Sequence, residues 1–151
     1  MNKLCSTWAL SLFVCFVWFV VANSCFGGPT GVWICASGGS WHDSSCWEDG
    51  AVPSGPDAVA AFTVLGWRYN SVRVTIASNT TIGHLAFDYP AWRGSWLIDG
   101  TIGASLTMTA TDQPSIETVR NSAKVSVAMA GAKGIAFRGN GMLILATNNV
   151  H

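Results

Sequence analysis

Apolar and polar residues alternate in short runs along most of the chain after residue 55. Residues 72–76 (VRVTI) and 105–109 (SLTMT) place an apolar or methyl-bearing residue at every second position, which is typical of a half-buried strand. The other runs of this kind are 57–64, 81–87, 95–98, 124–129, 134–137 and 142–146. Turn-forming pairs such as Asn140-Gly141 lie between the runs. The pattern predicts an all-β fold of short strands.

One segment leaves the type of element open. Residues 114–123 (PSIETVRNSA) begin with a proline, and a helix with Pro114 in its N-terminal turn could start at Ser115. The alternation that follows in residues 124–129 favours a strand in this region, and we adopt that interpretation.

The spacing of the runs allows two architectures. Strands start roughly every 9 to 14 residues, which fits a β-sandwich or a β-solenoid with a few short strands in each turn. Few charges and many Thr, Ser and Asn residues favour the solenoid, because stacked turns align polar side chains in ladders outside an apolar interior. We therefore predict a β-solenoid, with a β-sandwich as the alternative.

Residues 1–27 have the order of a secretory signal peptide. Lys3 precedes an apolar run from about Trp8 to Ala22, and small residues follow. Cleavage is expected before Cys25 or after Gly27. A retained membrane anchor and lipidation at Cys25 are the alternatives.

The chain has no net charge and the length of a single domain. Its 151 residues are 50% hydrophobic and 11% charged, with 8 Lys+Arg against 8 Asp+Glu. A protein needs a basic surface to bind the phosphate backbone of a nucleic acid, so no nucleic-acid partner is expected.

Two cysteines outside the signal segment predict a disulfide. Cys5 and Cys15 lie within residues 1–27, whereas Cys35 and Cys46 follow it. In an oxidising compartment these two residues are expected to pair. Their neighbours Trp33 and Trp47 suggest two short strands that meet across a turn.

Loop aromatics are the candidate ligand contacts. These aromatic residues lie in turn-rich segments that also contain arginines: Trp67, Tyr69, Tyr89, Trp92 and Trp96. Exposed rings of this kind stack on sugars, whereas the same rings turned inward would cap the solenoid and shield its core. We favour the capping role and keep ligand contact as the alternative.

Two other groups of side chains could form a calcium site or a catalytic site, but neither has the required spacing. An acidic loop lacks the alternating spacing of a calcium site, although its side chains are possible ligands: His42, Asp43, Glu48 and Asp49. The acids and the arginine that a polysaccharide lyase or hydrolase would use are Asp88, Asp99, Asp112 and Arg93. No two of these acids stand at a short fixed spacing, and His84 lies in a strand pattern outside any nucleophile motif. No catalytic residue, metal or cofactor is expected.

The segment from residue 31 onward resembles a known family. The motifs occur in the order Gly31-Val32-Trp33, Gly38-Gly39-Ser40-Trp41, Cys46-Trp47, Gly50-Ala51-Val52-Pro53, Pro56-Asp57-Ala58 and Phe62. This order resembles the opening of bacterial autotransporter-associated beta-strand repeat proteins, and of exported proteins with a PEP-CTERM sorting tail. Residues 81–88 and 139–149 resemble the family's strands and repeat unit.

The resemblance implies an organisation, a location and a role. It implies a signal peptide (1–27), a Trp/Gly-rich cap (28–56) and the strands of a right-handed parallel β-helix (57–151). Members of the family continue much further, so we expect either an open edge that pairs with another β-solenoid edge or a truncated piece of a longer passenger. The implied role is a non-catalytic structural or adhesin-like module, extracellular or on the bacterial envelope. A carbohydrate-binding module on a surface glycan is the alternative, and contact with a membrane is expected only through an uncleaved signal segment.

Overall fold

The computed structural model describes residues 28–63, 71–89 and 94–146, and in these ranges the chain forms short strands that build three sheets. The first sheet contains, in spatial order, β1 (Thr30–Val32), β3 (Val59–Phe62), β6 (His84–Phe87), β9 (Ser115–Thr118) and β12 (Ala136–Arg138). The second contains β2 (Gly39–Ser40), β4 (Val72–Ile76), β7 (Ser95–Gly100), β10 (Ser122–Ser126) and β13 (Met142–Leu145). The third contains β5 (Thr80–Ile82), β8 (Ser105–Met108) and β11 (Ala128–Ala130).

Every pair of neighbouring strands in these sheets is parallel, and each strand pairs with its equivalent in the next turn. The chain therefore coils as a β-solenoid of about 4 turns. This confirms the predicted solenoid. The β-sandwich alternative is not formed, because its strands would pair mainly in antiparallel order.

The predicted strands are found, with corrections at the corners. Residues 81–87 form two strands, β5 and β6, which separate at the buried Gly83. A Cβ at this position would lie 2.5 Å from the Cα of Asp57, so only glycine lets the two turns approach this closely. Residues 124–129 likewise divide between β10 and β11 at Val127. The helix considered at Ser115 is wrong, because Ser115–Thr118 is strand β9.

The interior is built from columns of apolar side chains. Parallel pairing in register puts equivalent residues of successive turns on top of one another, and alternate residues of each strand point inward. In the second sheet, one column is Val72, Trp96, Ala123 and Leu143, and the next is Val74, Ile98, Val125 and Leu145. The column in the first sheet is Ala60, Leu85, Ile116 and Phe137. These columns form part of the core, which also includes the tryptophans of the cap and the inward side chains of the third sheet.

A tryptophan-rich cap closes the N-terminal end of the solenoid. The rings of Trp33, Trp41 and Trp47 are fully buried. Trp33 and Trp47 form an isolated antiparallel bridge, so the two segments meet as predicted, but Trp47 lies between two 3₁₀ turns rather than in a strand. Two short 3₁₀ turns, Ser44–Cys46 and Glu48–Gly50, carry the chain across this end.

The predicted disulfide between Cys35 and Cys46 is present, with a Cα–Cα distance of 4.9 Å. It joins the cap across an interval of 11 residues. Strands β1 and β2 also belong to the segment predicted as a cap, and they pair with β3 and β4. The cap is thus the first, incomplete turn of the solenoid rather than a separate unit.

The predicted signal segment, residues 1–27, lies outside the described residues. Among the residues that are described, no helix is long and apolar enough to cross a membrane.

Candidate functional site

Two of the five aromatic candidates are part of the core. Tyr89 and Trp96 are each only 1% exposed, and their rings meet edge to face with centroids 6.0 Å apart. Trp96 is held inward because its register partner is the interior residue Val72. The burial of these two rings agrees with the favoured role, in which they shield the core, and leaves no open ring face for the alternative of ligand contact. Trp67, Tyr69 and Trp92 lie outside the described residues.

Two of the carboxylates considered for catalysis are engaged in ion pairs. The Asp88 carboxylate accepts two hydrogen bonds from Arg120, at 2.7 Å from Nε and 2.6 Å from Nη2. Asp99 lies 3.1 Å from the Arg73 guanidinium on the outer face of the second sheet. The hydrogen bond to Asp88 raises the pKa of Arg120 above its ordinary value. Each of these pairs joins neighbouring turns, so both acids take part in interactions that stabilise the fold.

The other two residues considered for catalysis are Asp112 and Arg93. Asp112 is exposed at the corner between β8 and β9. Arg93 lies outside the described residues.

The acidic loop of the cap is organised by its own hydrogen bonds. The Asp43 carboxylate accepts from the backbone N–H of Ser45 at 3.0 Å and from its hydroxyl at 2.7 Å. These bonds lower the pKa of Asp43 below its ordinary value. The His42 ring lies 3.1 Å from the Ser78 hydroxyl. Within the ranges given above, no three His, Cys, Asp or Glu side chains come together to hold a metal ion.

A polar constellation that the sequence did not reveal lies on the outer face of the first sheet. His84 and Ser115 are register partners on β6 and β9, and the His84 Nδ1 lies 2.9 Å from the Ser115 hydroxyl. Both residues are buried. Burial lowers the pKa of His84, partly opposed by the negative charges of Asp57 and Asp112 and assisted by the positive charge of Arg138.

Asp57 stands beside this pair at the corner before β3. Its carboxylate accepts from the backbone N–H and the hydroxyl of Thr111, both at 2.6 Å, and its backbone N–H donates to Thr109. These bonds lower the pKa of Asp57. The residue types are those of a hydrolytic triad, but the serine is buried and the carboxylate is bound to Thr111. The arrangement ties three turns together and offers no open nucleophile.

No local signal in the sequence identifies this constellation. His84 follows a buried glycine within a strand pattern, and Ser115 is 31 residues further along. Only the register of β6 with β9 brings the two side chains together.

Among the described residues, four of the six exposed large apolar side chains lie at the opposite end from the cap. We define the open end as Phe137, Met142, Ile144 and Leu145, which are 56%, 57%, 40% and 49% exposed. Phe137 and Leu145 stand at the top of interior columns, and β12 and β13 are the last strands of their sheets among the described residues.

Comparison with protein-family models, with curated proteins and with solved structures returned no match to this chain.

Proposed function

We propose that this protein is an exported, non-catalytic structural module that stands on the surface of a bacterial cell or is released from it. Its role is architectural: stacked turns form a stiff rod whose corners carry loops away from the cell, as an adhesin-like passenger does. The resemblance of the Trp-rich opening to autotransporter-associated repeat proteins supports this proposal.

The observation that carries the proposal is the Cys35–Cys46 disulfide within the buried tryptophan cap. Disulfides persist in oxidising compartments outside the cytoplasm. The bond joins two segments of the cap. The predicted signal peptide supplies a route to such a compartment.

The use of the acidic side chains also favours a structural role over an enzymatic one. Asp88 and Asp99 form ion pairs between turns, and Asp57 is bound to Thr111. A glycosidase or lyase instead needs carboxylates that converge on one substrate bond.

Fractionation of the producing cells with intact-mass measurement tests the proposal. We expect the protein in the medium or the envelope, lighter than 16.0 kDa by the signal segment and by the two hydrogens lost when the disulfide forms. A full-length, reduced protein in the cytoplasm would contradict it. New reducing or unsaturated ends after incubation with surface and plant glycans would support an enzyme instead, provided that Asp112→Asn abolishes them.

A further inference from the structure

The short corner between β12 and β13 contains an asparagine followed directly by a glycine, Asn140-Gly141. Asn140 is exposed. Arg120 and Asn121, at the equivalent corner of the preceding turn, are also exposed, although β12 and β13 pair with the strands on either side of them. Exposure is therefore a property of this corner of the solenoid and does not depend on which turn is the last.

The packing of the corner requires a glycine on each side of Asn140. Gly139 has a φ of +93°, and a Cβ there would lie 2.2 Å from the carbonyl oxygen of Thr118. A Cβ at Gly141 would lie 2.5 Å from Cγ2 of Thr118 and 2.9 Å from the carbonyl oxygen of Asn121. A larger residue after Asn140 would thus push the corner away from the turn beneath it.

The same packing holds the backbone nitrogen of Gly141. Its N–H donates a hydrogen bond to the carbonyl oxygen of Thr118 at 2.7 Å, and the next N–H, that of Met142, donates to Asn121 at 2.8 Å. A backbone nitrogen attacks a carbonyl group only after it has lost its proton. The corner must therefore open before the Gly141 nitrogen can react.

We propose that Asn140 is a site of spontaneous deamidation, which the folded corner slows and which, once it has occurred, detaches strand β13 from β10. Asparagine is among the chemically labile residues, and glycine after it leaves the side-chain amide open to attack. The proposal concerns the ageing of the protein and does not depend on its exported role.

The reaction consumes water and releases ammonia. The Gly141 nitrogen loses its proton and forms a bond to Cγ of Asn140, while the bond from Cγ to Nδ2 breaks and Nδ2 leaves as ammonia with that proton. Water then opens the resulting succinimide ring at one of its two carbonyl groups. Opening at the side-chain carbonyl gives aspartate, and opening at the backbone carbonyl gives isoaspartate.

Isoaspartate lengthens the corner by one backbone carbon, because the chain then passes through the former side chain. The corner consists of residues 139–141 alone, and both of its glycines lie against Thr118, so it has no slack to absorb the extra atom. Strand β13 follows at once and pairs with β10 from Ser122–Met142 onward. We therefore expect the longer corner to break the hydrogen bond from Gly141 to Thr118 and to disturb this register.

Peptide mapping by mass spectrometry, with chromatography that separates aspartate from isoaspartate, tests the site. The protein in the form its own cells produce is incubated in mildly alkaline buffer, both folded and in urea. Asn140 should lose its amide in urea before Asn79 and Asn121, which precede Thr80 and Ser122. In the folded protein the loss at Asn140 should be about tenfold slower, since the corner opens at a modest cost in free energy.

Gly141→Ala provides a variant whose measurement needs no folded protein. In urea it should slow the loss of the Asn140 amide, because the added methyl group hinders the approach of the nitrogen. Equal rates for folded and unfolded protein, or an Asn140 that keeps its amide in urea, would overturn the proposal.

Hydrogen exchange tests the consequence for the fold. After separation of the isoaspartate form, the amide protons of β13 should exchange faster than in the unmodified protein, and those of β7 should not change. Asn140→Asp is the matched control, since it adds the same charge to a backbone of normal length and should keep β13 protected. Equal protection of β13 in all three proteins, or the same loss in Asn140→Asp as in the isoaspartate form, would contradict detachment by the longer corner.

Discussion

The ring of Phe62 lies on the ring of Phe87, with centroids 5.1 Å apart and planes 12° from parallel. The two residues are register partners on β3 and β6, so the contact joins successive turns. On its other sides Phe62 contacts the rings of Trp33, Trp41 and Trp47 at centroid distances of 6.1, 5.8 and 5.7 Å. One side chain thus connects the cap to the turns above it.

Truncation of this side chain should strongly destabilise the fold. Phe62 is fully buried, and Phe62→Ala removes a ring from among rigid neighbours that cannot close the space. We expect a loss of about 3–5 kcal/mol in the free energy of unfolding by urea. Phe87→Ala is the comparison, since it removes the other ring of the stack while leaving the tryptophan contacts of Phe62 in place. An equal or larger loss for Phe87→Ala would show that the link to the cap contributes little.

Reduction of the Cys35–Cys46 bond should destabilise the cap end. Closing an interval of 11 residues restricts the unfolded chain, and the chain-entropy account assigns about 3 kcal/mol to a loop of this size. Denaturation midpoints with and without reductant measure the effect. The Cys35→Ser, Cys46→Ser variant should match the reduced protein and should not respond to reductant. An unchanged midpoint on reduction would mean that tryptophan packing alone secures the cap.

Stability should decrease as the pH falls below about 6.5, and His84 should account for part of the decrease. Burial lowers the pKa of His84 in the folded protein below its ordinary value of 6.5. Between these two values the unfolded chain binds a proton that the folded protein does not, so acidification favours unfolding. The contribution of His84 is complete above its unfolded pKa and is lost as the pH falls towards its folded pKa.

Unfolding free energies measured from pH 7.5 to 5 test this expectation. His84→Gln retains a hydrogen-bonding group for Ser115 and should flatten the profile. His42→Gln, at an exposed position of the cap, is the control and should keep the slope. A profile for His84→Gln as steep as that of the unmodified protein would assign the pH dependence to other groups.

The two ion pairs between turns should differ in strength. The Asp88 side chain is 13% exposed and accepts two hydrogen bonds from Arg120, whereas Asp99 is 26% exposed and Arg73 67%. Bidentate, partly buried pairs interact more strongly than exposed ones. Double-mutant cycles should give about 1 kcal/mol for Asp88–Arg120 and less than about 0.5 kcal/mol for Arg73–Asp99. A reversed order would mean that desolvation outweighs hydrogen-bond geometry at Asp88.

Much of the fold was predictable because its signals are local. The alternation in residues 72–76 marks strand β4 within its true bounds, since period-two burial requires only neighbouring residues. The pairing of Cys35 with Cys46 was predicted because they are the two cysteines that follow the signal segment, and the approach of Trp33 to Trp47 was predicted because they neighbour those cysteines. The corner at Val127 was missed because the apolar alternation continues through it, whereas at Gly83 the shift in spacing between Ile82 and Leu85 marks a corner that was not recognised.

The candidate sites were predictable only in part. Tyr89 and Trp96 are flanked by residues typical of turns, but the stacking of β7 on β4 places Trp96 inside the solenoid. The contact of His84 with Ser115 depends on residues far apart in sequence.

The sequence by itself determined that the chain forms short strands with an apolar face, that a tryptophan-rich segment precedes them and that two cysteines are close enough to pair. The tertiary structure decided which strands lie on one another. From Val59 to its partner His84 is 25 residues, from His84 to Ser115 is 31, and from Ser115 to Ala136 is 21. Turns of unequal length leave no fixed repeat in the sequence, because corner loops absorb the difference while the stacked strands keep a common register. That register, set by core packing and hydrogen bonds between turns, determines which side chains become columns, ion pairs and exposed ends.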